Sequence, residues 1–299
     1  MAYKIFSDSA CDLSDDILQA NDIPIIPYYV SLDHETYYKE RSEISLEKYY
    51  EGLAKLEALH QYPKTSLPAV QDFIDAFRAT LEAEEDVLCI MISSHFSSSI
   101  QSAMTAKEIL NEEFPNRTIE IISAGAATGL QGLIVLEAIK LKEKGATLKE
   151  VISYITVAKD NGRIHFMVGD LGYLQNGGRL SKAAAISGGV LKIKPLVVLK
   201  DGKVSPFDIA RSKKKAVTKI IDTTKKYFAT TGESMSEYLC ATGYTDDVED
   251  SIALANLVKE QLPELDFQFH FRIGATIGSH TGPGTLGLAV LKKSELTTF

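Results

Sequence analysis

Over the first 160 residues, short apolar runs alternate with segments whose apolar positions recur every three or four residues. The runs at 3–6, 23–30, 87–92 and 118–122 are continuous and short, as buried strands are, whereas 13–19, 46–56, 70–81 and 100–111 have helical spacing. That βαβα order predicts a mostly parallel sheet covered by helices. Pro24 and Pro27 place the 23–30 run at a sheet edge, because a proline has no N–H for the ladder. Two long helical patterns follow at 129–144 and 148–161, and then the character changes. Strands are expected at 164–168, 193–199, 203–210, 237–243 and 267–273, with helices near 181–188, 213–228 and 247–261. Asp201-Gly202 between two apolar runs is a hairpin signal. The fold class is therefore α/β: an N-terminal, mostly parallel sheet covered by helices, plus a C-terminal α+β domain with antiparallel pairing. The boundary falls within 145–165 and is drawn as 1–158 and 159–299. No repeat, low-complexity tract or linker rich in Pro, Gly or Ser interrupts the pattern.

Composition narrows the function classes. The 299 residues are 45% apolar and 24% charged, an ordinary balance for a globular protein with a large core. A net charge of −8 argues against a nucleic-acid partner, which calls for a basic face. The one dense basic run, Arg211 to Lys215, reads as a solvated helix start. Cys11, Cys89 and Cys240 lie far apart without CxxC spacing, so neither a disulfide framework nor a metal site is expected, and Cys89 and Cys240 fall in apolar runs as buried thiols. The N-terminus enters a strand-like run directly and no stretch reaches the length of a membrane span, which makes a cytoplasmic protein the expectation.

Chemistry gathers where strands or loops hand over to helices. Gly278-Ser279-His280-Thr281-Gly282-Pro283-Gly284-Thr285-Leu286-Gly287 hangs an imidazole and hydroxyls on a backbone rich in glycine, which allows close approach of a ligand. Lys64-Thr65-Ser66-Leu67-Pro68 puts hydroxyls in the N-cap region of the next helix, with the proline in its first turn. Ser93-Ser94-His95-Phe96-Ser97-Ser98-Ser99 repeats that arrangement with more hydroxyls than a cap needs. Two helix N-termini dressed with serines and threonines, with no cation among the serines, point to a carboxylate or phosphate held by neutral donors.

Five motifs taken together resemble the DegV family. They are Phe6-Ser7-Asp8-Ser9-Ala10-Cys11-Asp12-Leu13-Ser14, Thr65-Ser66-x-Pro68, Ser93-Ser94-x-Phe96-Ser97 with Gln101-Ser102-Ala103, Leu174-x-x-Gly177-Gly178-Arg179-Leu180-Ser181, and His280-Thr281-Gly282-Pro283-Gly284. The resemblance implies a two-domain protein that binds a long-chain fatty acid in a tunnel and presents its carboxylate to a fatty acid kinase, with no turnover, cofactor or metal of its own. By similarity Thr65 and Ser97 would donate to the carboxylate beside Ser66 and Ser98. His280 and Thr281 would face the same head group, and Arg179 would lie near the mouth, in contact with phosphate or the partner. The chain departs from the family where Ser97-Ser98-Ser99-Ile100 replaces a Ser-Gly-Thr-Tyr step and Ser123-Ala124 replaces an Asp-Ser pair.

Candidate tunnel residues near these motifs are Phe96, Ile100, Ile164, Phe166, Leu171, Leu191 and Ile277. Two other readings compete with a binding protein. Ser97 and His280 could serve as nucleophile and base of a lipid ester or thioester hydrolase, although no Gly-x-Ser-x-Gly elbow and no acid to orient His280 is evident. The histidine could also bind a small carbonyl compound covalently, as in dihydroxyacetone-kinase-like folds, which the family distantly resembles.

Overall fold

The computed structural model describes residues 2–180 and 193–294. Its first sheet is parallel, in the order β2-β1-β6-β7, from β1 (Tyr3–Asp8), β2 (Ile25–Ile26), β6 (Asp86–Met91) and β7 (Ile119–Ser123). All six residues of β6 are buried, as expected of a central parallel strand covered on both faces. On one face pack α3 (Val70–Glu82) and α4 (Ser99–Glu113), which close a core around Phe6, Phe73, Phe77 and Cys89. On the other lies α5 (Thr128–Glu143), twelve of whose sixteen residues are buried.

The second sheet has the order β10-β9-β8-β13-β11-β12. Its strands are β8 (Gly162–Met167), β9 (Lys194–Lys200), β10 (Lys203–Ala210), β11 (Tyr238–Tyr244), β12 (Asp266–Arg272) and β13 (Leu286–Lys292). Every pairing is antiparallel except β11 with β12. The outer face is covered by α8 (Lys213–Thr231) and α9 (Val248–Gln261) around Ile220, Phe228, Tyr238 and Leu254. The inner face meets α5, whose leucines and isoleucines share one core with β1 and β6 on one side and β8, β11 and β13 on the other. The α/β class, parallel first and antiparallel after, is as the hydrophobic pattern predicts.

Two regions differ from that pattern. The 23–30 run is not one strand: Pro24 and Pro27 confine β2 to two edge residues, and the chain leaves the sheet to start β3 (Tyr29–Ser31). With β4 (Tyr38–Lys39) and β5 (Lys64–Ser66) it forms a small sheet that, with α2 (Leu46–Ala58), precedes α3. The glycine-rich stretch near the C-terminus is not a loop throughout. Residues Ala275–Thr281 form helix α10, stopped by Gly282 at φ +70°, and β13 follows as a central strand. A further short helix, α7 (Gly172–Asn176), was also hidden in a glycine-containing stretch. The hairpin between β9 and β10 is as expected, with Asp201 and Gly202 both in the left-handed region that a type I′ turn requires. The helix expected at 181–188 lies outside the described residues. Among the described residues no helix is long and apolar enough to cross a membrane.

Close packing at Phe271 ties α5 to the second sheet. An added Cβ would stand 2.1 Å from its ring at Gly129 and 2.2 Å at Gly243. Gly243→Ala should therefore cost about 1–3 kcal/mol through overpacking, read as a lower denaturation midpoint, and Phe271→Leu in the same chain should recover part of it. Equal stability of Gly243→Ala and wild type would show that the ring yields freely.

Candidate functional site

An apolar cavity lies between the ends of the first sheet and the inner face of the second. Its walls come from Ile92 and Phe96 after β6, Ala127 at the start of α5, Ile164 and Phe166 on β8, Leu199 on β9 and Phe271 on β12. The polar groups on its surface gather from segments far apart in the chain.

Ser97 stands in the turn between β6 and α4, a turn closed by the Phe96 and Ser97 amides donating to Ser93 O. The Ser93 hydroxyl in turn donates to Gly202 O at 2.9 Å and fastens the turn to the β9–β10 hairpin. Ser97 Oγ accepts from the Ser99 amide at 3.1 Å, and the buried Ser99 hydroxyl receives the Tyr28 phenol at 2.6 Å. Thr65 does not cap a helix. It sits on β5 opposite Val30, and α3 starts beyond Pro68, with Ala69 at its N-cap and the Asp72 carboxylate taking the Ala69 amide. Of two expected hydroxyl-dressed helix termini, only the one at α4 exists, and Thr65 reaches the cavity from a strand.

His280 is in the last turn of α10, with Nε2 2.9 Å from Thr65 Oγ1. Its Nδ1 is buried without a hydrogen-bond partner, on the side of the Gly177 backbone. Burial, and then the nearby Arg179 cation, lower its pKa to about 3, so the imidazole is neutral at physiological pH. The Arg179 guanidinium donates through Nε and one terminal nitrogen to Phe96 O and through the other to Gly177 O, joining the serine turn to the end of α7. Two of its five N–H donors remain for other partners. Arg179 lines the cavity and is partly buried, which lowers its pKa from the usual guanidinium value.

Behind these groups stands a buried polar layer built by the Asp8 to Asp12 motif. Asp8 accepts from the Ile92 amide at 2.9 Å and Gln131 Nε2 at 2.8 Å, and burial still pushes its carboxyl up to about 6. Glu40 accepts the hydroxyls of Ser9 and Thr276, each at 2.7 Å, and so holds the first turn of α10. Asp12 accepts the Thr128 hydroxyl at the start of α5, and burial together with the neighbouring Glu40 holds its carboxyl well above the usual range.

Of the residues singled out from sequence, Thr65, Ser97, Arg179, His280 and Thr281 line the cavity, as do Phe96, Ile164, Phe166 and Ile277. Thr281 Oγ1 is turned back to Ile277 O. Ser66, Ser98 and Leu171 do not line it. Ile100 packs instead into the α3–α4 core on the far face of the first sheet. Leu191 lies outside the described residues. Sequence reasoning missed Tyr28, Thr128 and Thr276, which line the cavity from a strand boundary and two helix starts. Only the pairing of Pro27 with a following tyrosine pair could have hinted at the first.

The depressed His280 pKa has a measurable consequence. Its ring resonances should not titrate between pH 5 and 8 in ligand-free protein, nor should those of buried His165, whose pKa burial lowers to about 4. Since the folded state then binds fewer protons than the unfolded one, the stability both contribute is present above about pH 6.5 and lost as pH falls toward the folded values. An NMR titration with a His280 midpoint above pH 6 would contradict the burial argument.

Comparison with known proteins places the chain. The family described as "Uncharacterised protein, DegV family" matches residues 2–293. A DegV domain-containing protein of Clostridium perfringens is 30% identical over 294 residues, covering 98% of this chain and all of that one. A stearic-acid-binding protein from Eubacterium ventriosum superposes with a TM-score of 0.91 at 33% identity, over 97% of this chain and 98% of the other. A DegV family protein from Thermus thermophilus, described by its fatty acid binding, superposes with a TM-score of 0.85 at 30% identity, over 98% of this chain and all of that one. With its motifs, its two sheets and its full-length likeness in accord, the chain belongs to the DegV family.

Proposed function

We propose that the protein binds a long-chain fatty acid in this cavity, with the carboxylate at Thr65, Ser97 and His280, and presents it to a fatty acid kinase. The observation that carries the reading is the meeting of neutral hydroxyls and a neutral imidazole on one apolar cavity. Its floor is formed by the second sheet, with side chains at Val204 on β10, Leu199 on β9, Phe166 on β8 and Phe271 on β12 and bare backbone at Gly287 on β13 and Gly243 on β11, so that four steps separate Leu199 from Phe271. Four strand-to-strand steps cover roughly 19 Å. A saturated chain advances about 1.25 Å per bond for 1.52 Å bonds at tetrahedral angles, so about 15 bonds match that span. Burying some sixteen carbons at about 0.8 kcal/mol each yields on the order of 10 kcal/mol before immobilisation costs. The relatives known to bind stearic or other fatty acids support the same ligand class. Neutral donors also suit the next step, in which a carboxylate oxygen attacks the terminal phosphorus of ATP and ADP leaves, because a bidentate ion pair would tie up the attacking oxygen.

The geometry disfavours the hydrolase reading. Nε2 of His280 is paired with Thr65 and its Nδ1 meets no carboxylate, so neither nitrogen is set as a base for Ser97. A pKa of about 3 makes it a weak base at neutral pH. Covalent capture of a carbonyl compound needs a free ring nitrogen facing the cavity and meets the same obstacle.

Organic extraction of purified protein should release a C14 to C18 acid. Thr65→Ala or Ser97→Ala should each weaken palmitate binding about tenfold or more, since a hydroxyl bonding a charged group contributes roughly 1.5–3 kcal/mol. Ser94→Ala, whose side chain is exposed, should leave affinity unchanged. Calorimetry that found all three variants equal to wild type would place the carboxylate elsewhere. Mixed with ATP and a fatty acid kinase, the loaded protein should yield acyl phosphate, and a kinase active on its own partner but silent here would remove the second half of the proposal.

A further inference from the structure

We infer that Glu40 is a positioning residue for the cavity: as a carboxylate it caps helix α10 from 236 residues away, and Asp12 beside it stays protonated so that it can. The inference goes beyond the carboxylate site proposed above and leans on it for one affinity measurement only.

Helix α10 has no cap of its own. Its N-cap is Gly274, and a side chain there would strike two acids, since an added Cβ would stand 2.6 Å from Asp12 Oδ1 and 2.6 Å from Glu40 Oε1. Glu40, in the chain just after β4, takes over the task. Its Oε1 accepts the Thr276 amide at 3.2 Å, the bond that an N-cap side chain would make, and its Oε2 accepts the Thr276 and Ser9 hydroxyls. Ser9 Oγ itself accepts the Tyr28 amide at 3.0 Å, so its one hydrogen goes to Glu40. Three donors thus converge on one carboxylate, and the helix they fix carries Thr276, Ile277, His280 and Thr281 to the cavity wall.

Asp12 is built the other way. Its Oδ2 accepts the Thr128 hydroxyl at 2.5 Å, and its Oδ1 is buried without a hydrogen-bond partner. Because Asp12 Oδ1 and Glu40 Oε1 both lie 2.6 Å from the same point over Gly274, no more than twice that length separates them. Two buried carboxylates at that distance repel strongly, and no cation is placed between them. Arg41 and Arg272, which line the same cleft, pair with the exposed Asp15 and Glu47. Of the other titratable neighbours, burial keeps Cys11, Tyr49, Tyr50 and His270 neutral, and Asp8 can only add negative charge. Among the described residues no third His, Cys, Asp or Glu joins the pair in a group that could hold a metal ion. The pair therefore sheds one charge by taking a proton.

Donors decide which acid keeps it. Hydrogen bonds to the charged form hold a carboxyl ionised, and Glu40 receives three where Asp12 receives the Thr128 hydroxyl alone, with the Gly274 amide nearby outweighed by burial and by Glu40. The proton belongs on Asp12 Oδ1, where it faces Glu40 instead of a bare lone pair. The two acids should then respond in opposite ways to the same isosteric change. Asp12→Asn copies a protonated acid, and it does so at φ 52°, a left-handed conformation that asparagine tolerates. Glu40→Gln puts an amide among converging donors.

The test uses the full, ligand-free chain. Carbon NMR of the wild type at pH 7, with both carboxyl carbons assigned through their own backbones, should show Asp12 as the acid and Glu40 as the carboxylate. Both ionised, or the proton on Glu40, would overturn the inference, and neither outcome depends on a variant that folds. Hydrogen exchange at the Gly278 and Gly282 amides of α10 should be about tenfold faster or more in Glu40→Gln, with α9 unchanged, and within about threefold of wild type in Asp12→Asn. Equal protection in Glu40→Gln and wild type, or equal damage by the two substitutions, would sink it. With palmitate as the probe, Glu40→Gln should lower affinity about tenfold and Asp12→Asn less than about threefold. A wild-type chain that bound no palmitate would fault the proposed function instead, and the two NMR readouts would still decide the role of Glu40.

Discussion

A helix that is apolar on every side must be covered on every side, and α5 imposes that demand on the whole molecule. Its sequence from Thr128 to Leu141 has no broad polar face, and it is satisfied only when the first sheet packs on one flank and the second on the other. The cavity is a by-product of that arrangement. Where α5 begins, the cavity is bordered by Ala127 and Thr128, by the loop after β6 and by α10. Thr128 takes a positive φ of 52° at this point, a conformation uncommon for a threonine, and its hydroxyl is held by the buried carboxyl of Asp12.

Electrostatics in this gap are arranged by burial more than by opposite charges. Asp8, Asp12 and Glu40 lie under the cavity without an ion pair among the described residues, and they are held by amides and hydroxyls. Neutrality is favoured at Asp12 and His280, each pushed toward its uncharged form. Arg179 is the exception, and its charge is largely spent on the carbonyls of Phe96 and Gly177.

Strands and helices with a strong period were legible in the sequence. β6 announced itself as an unbroken apolar run and the β9–β10 hairpin by Asp201-Gly202, because in both cases a local property dictates the structure. α10 was not legible. Its buried positions are Ala275, Thr276, Ile277, Gly278, Ser279 and Thr281, a run in which Ile277 is the one large apolar side chain and no hydrophobic period appears, and Ser279 and Gly278 fit against Tyr49 and Tyr50. Thr65 was singled out through its motif, but its strand was missed, because a three-residue strand is made by its partner β3 and not by its own composition. Tyr28 and Thr276 escaped for a similar reason, since what marks them is the company they meet across the fold. The resemblance to a family supplied what spacing could not, and the contact of His280 with Thr65 came only from geometry.

Thr65 and His280 are 215 residues apart in sequence, and Ser97 belongs to yet another segment. The site is thus assembled from distant parts of the chain and exists only after both sheets have closed on α5. Such an arrangement would make a ligand of this cavity a sensor of completed folding: a chain with one half formed offers no binding place. A lipid that binds only the native state raises stability by RT ln(1 + [L]/Kd), about 2.7 kcal/mol at a hundredfold excess over Kd. The supply of lipid in the surroundings would then help set how much of the chain survives in its folded form.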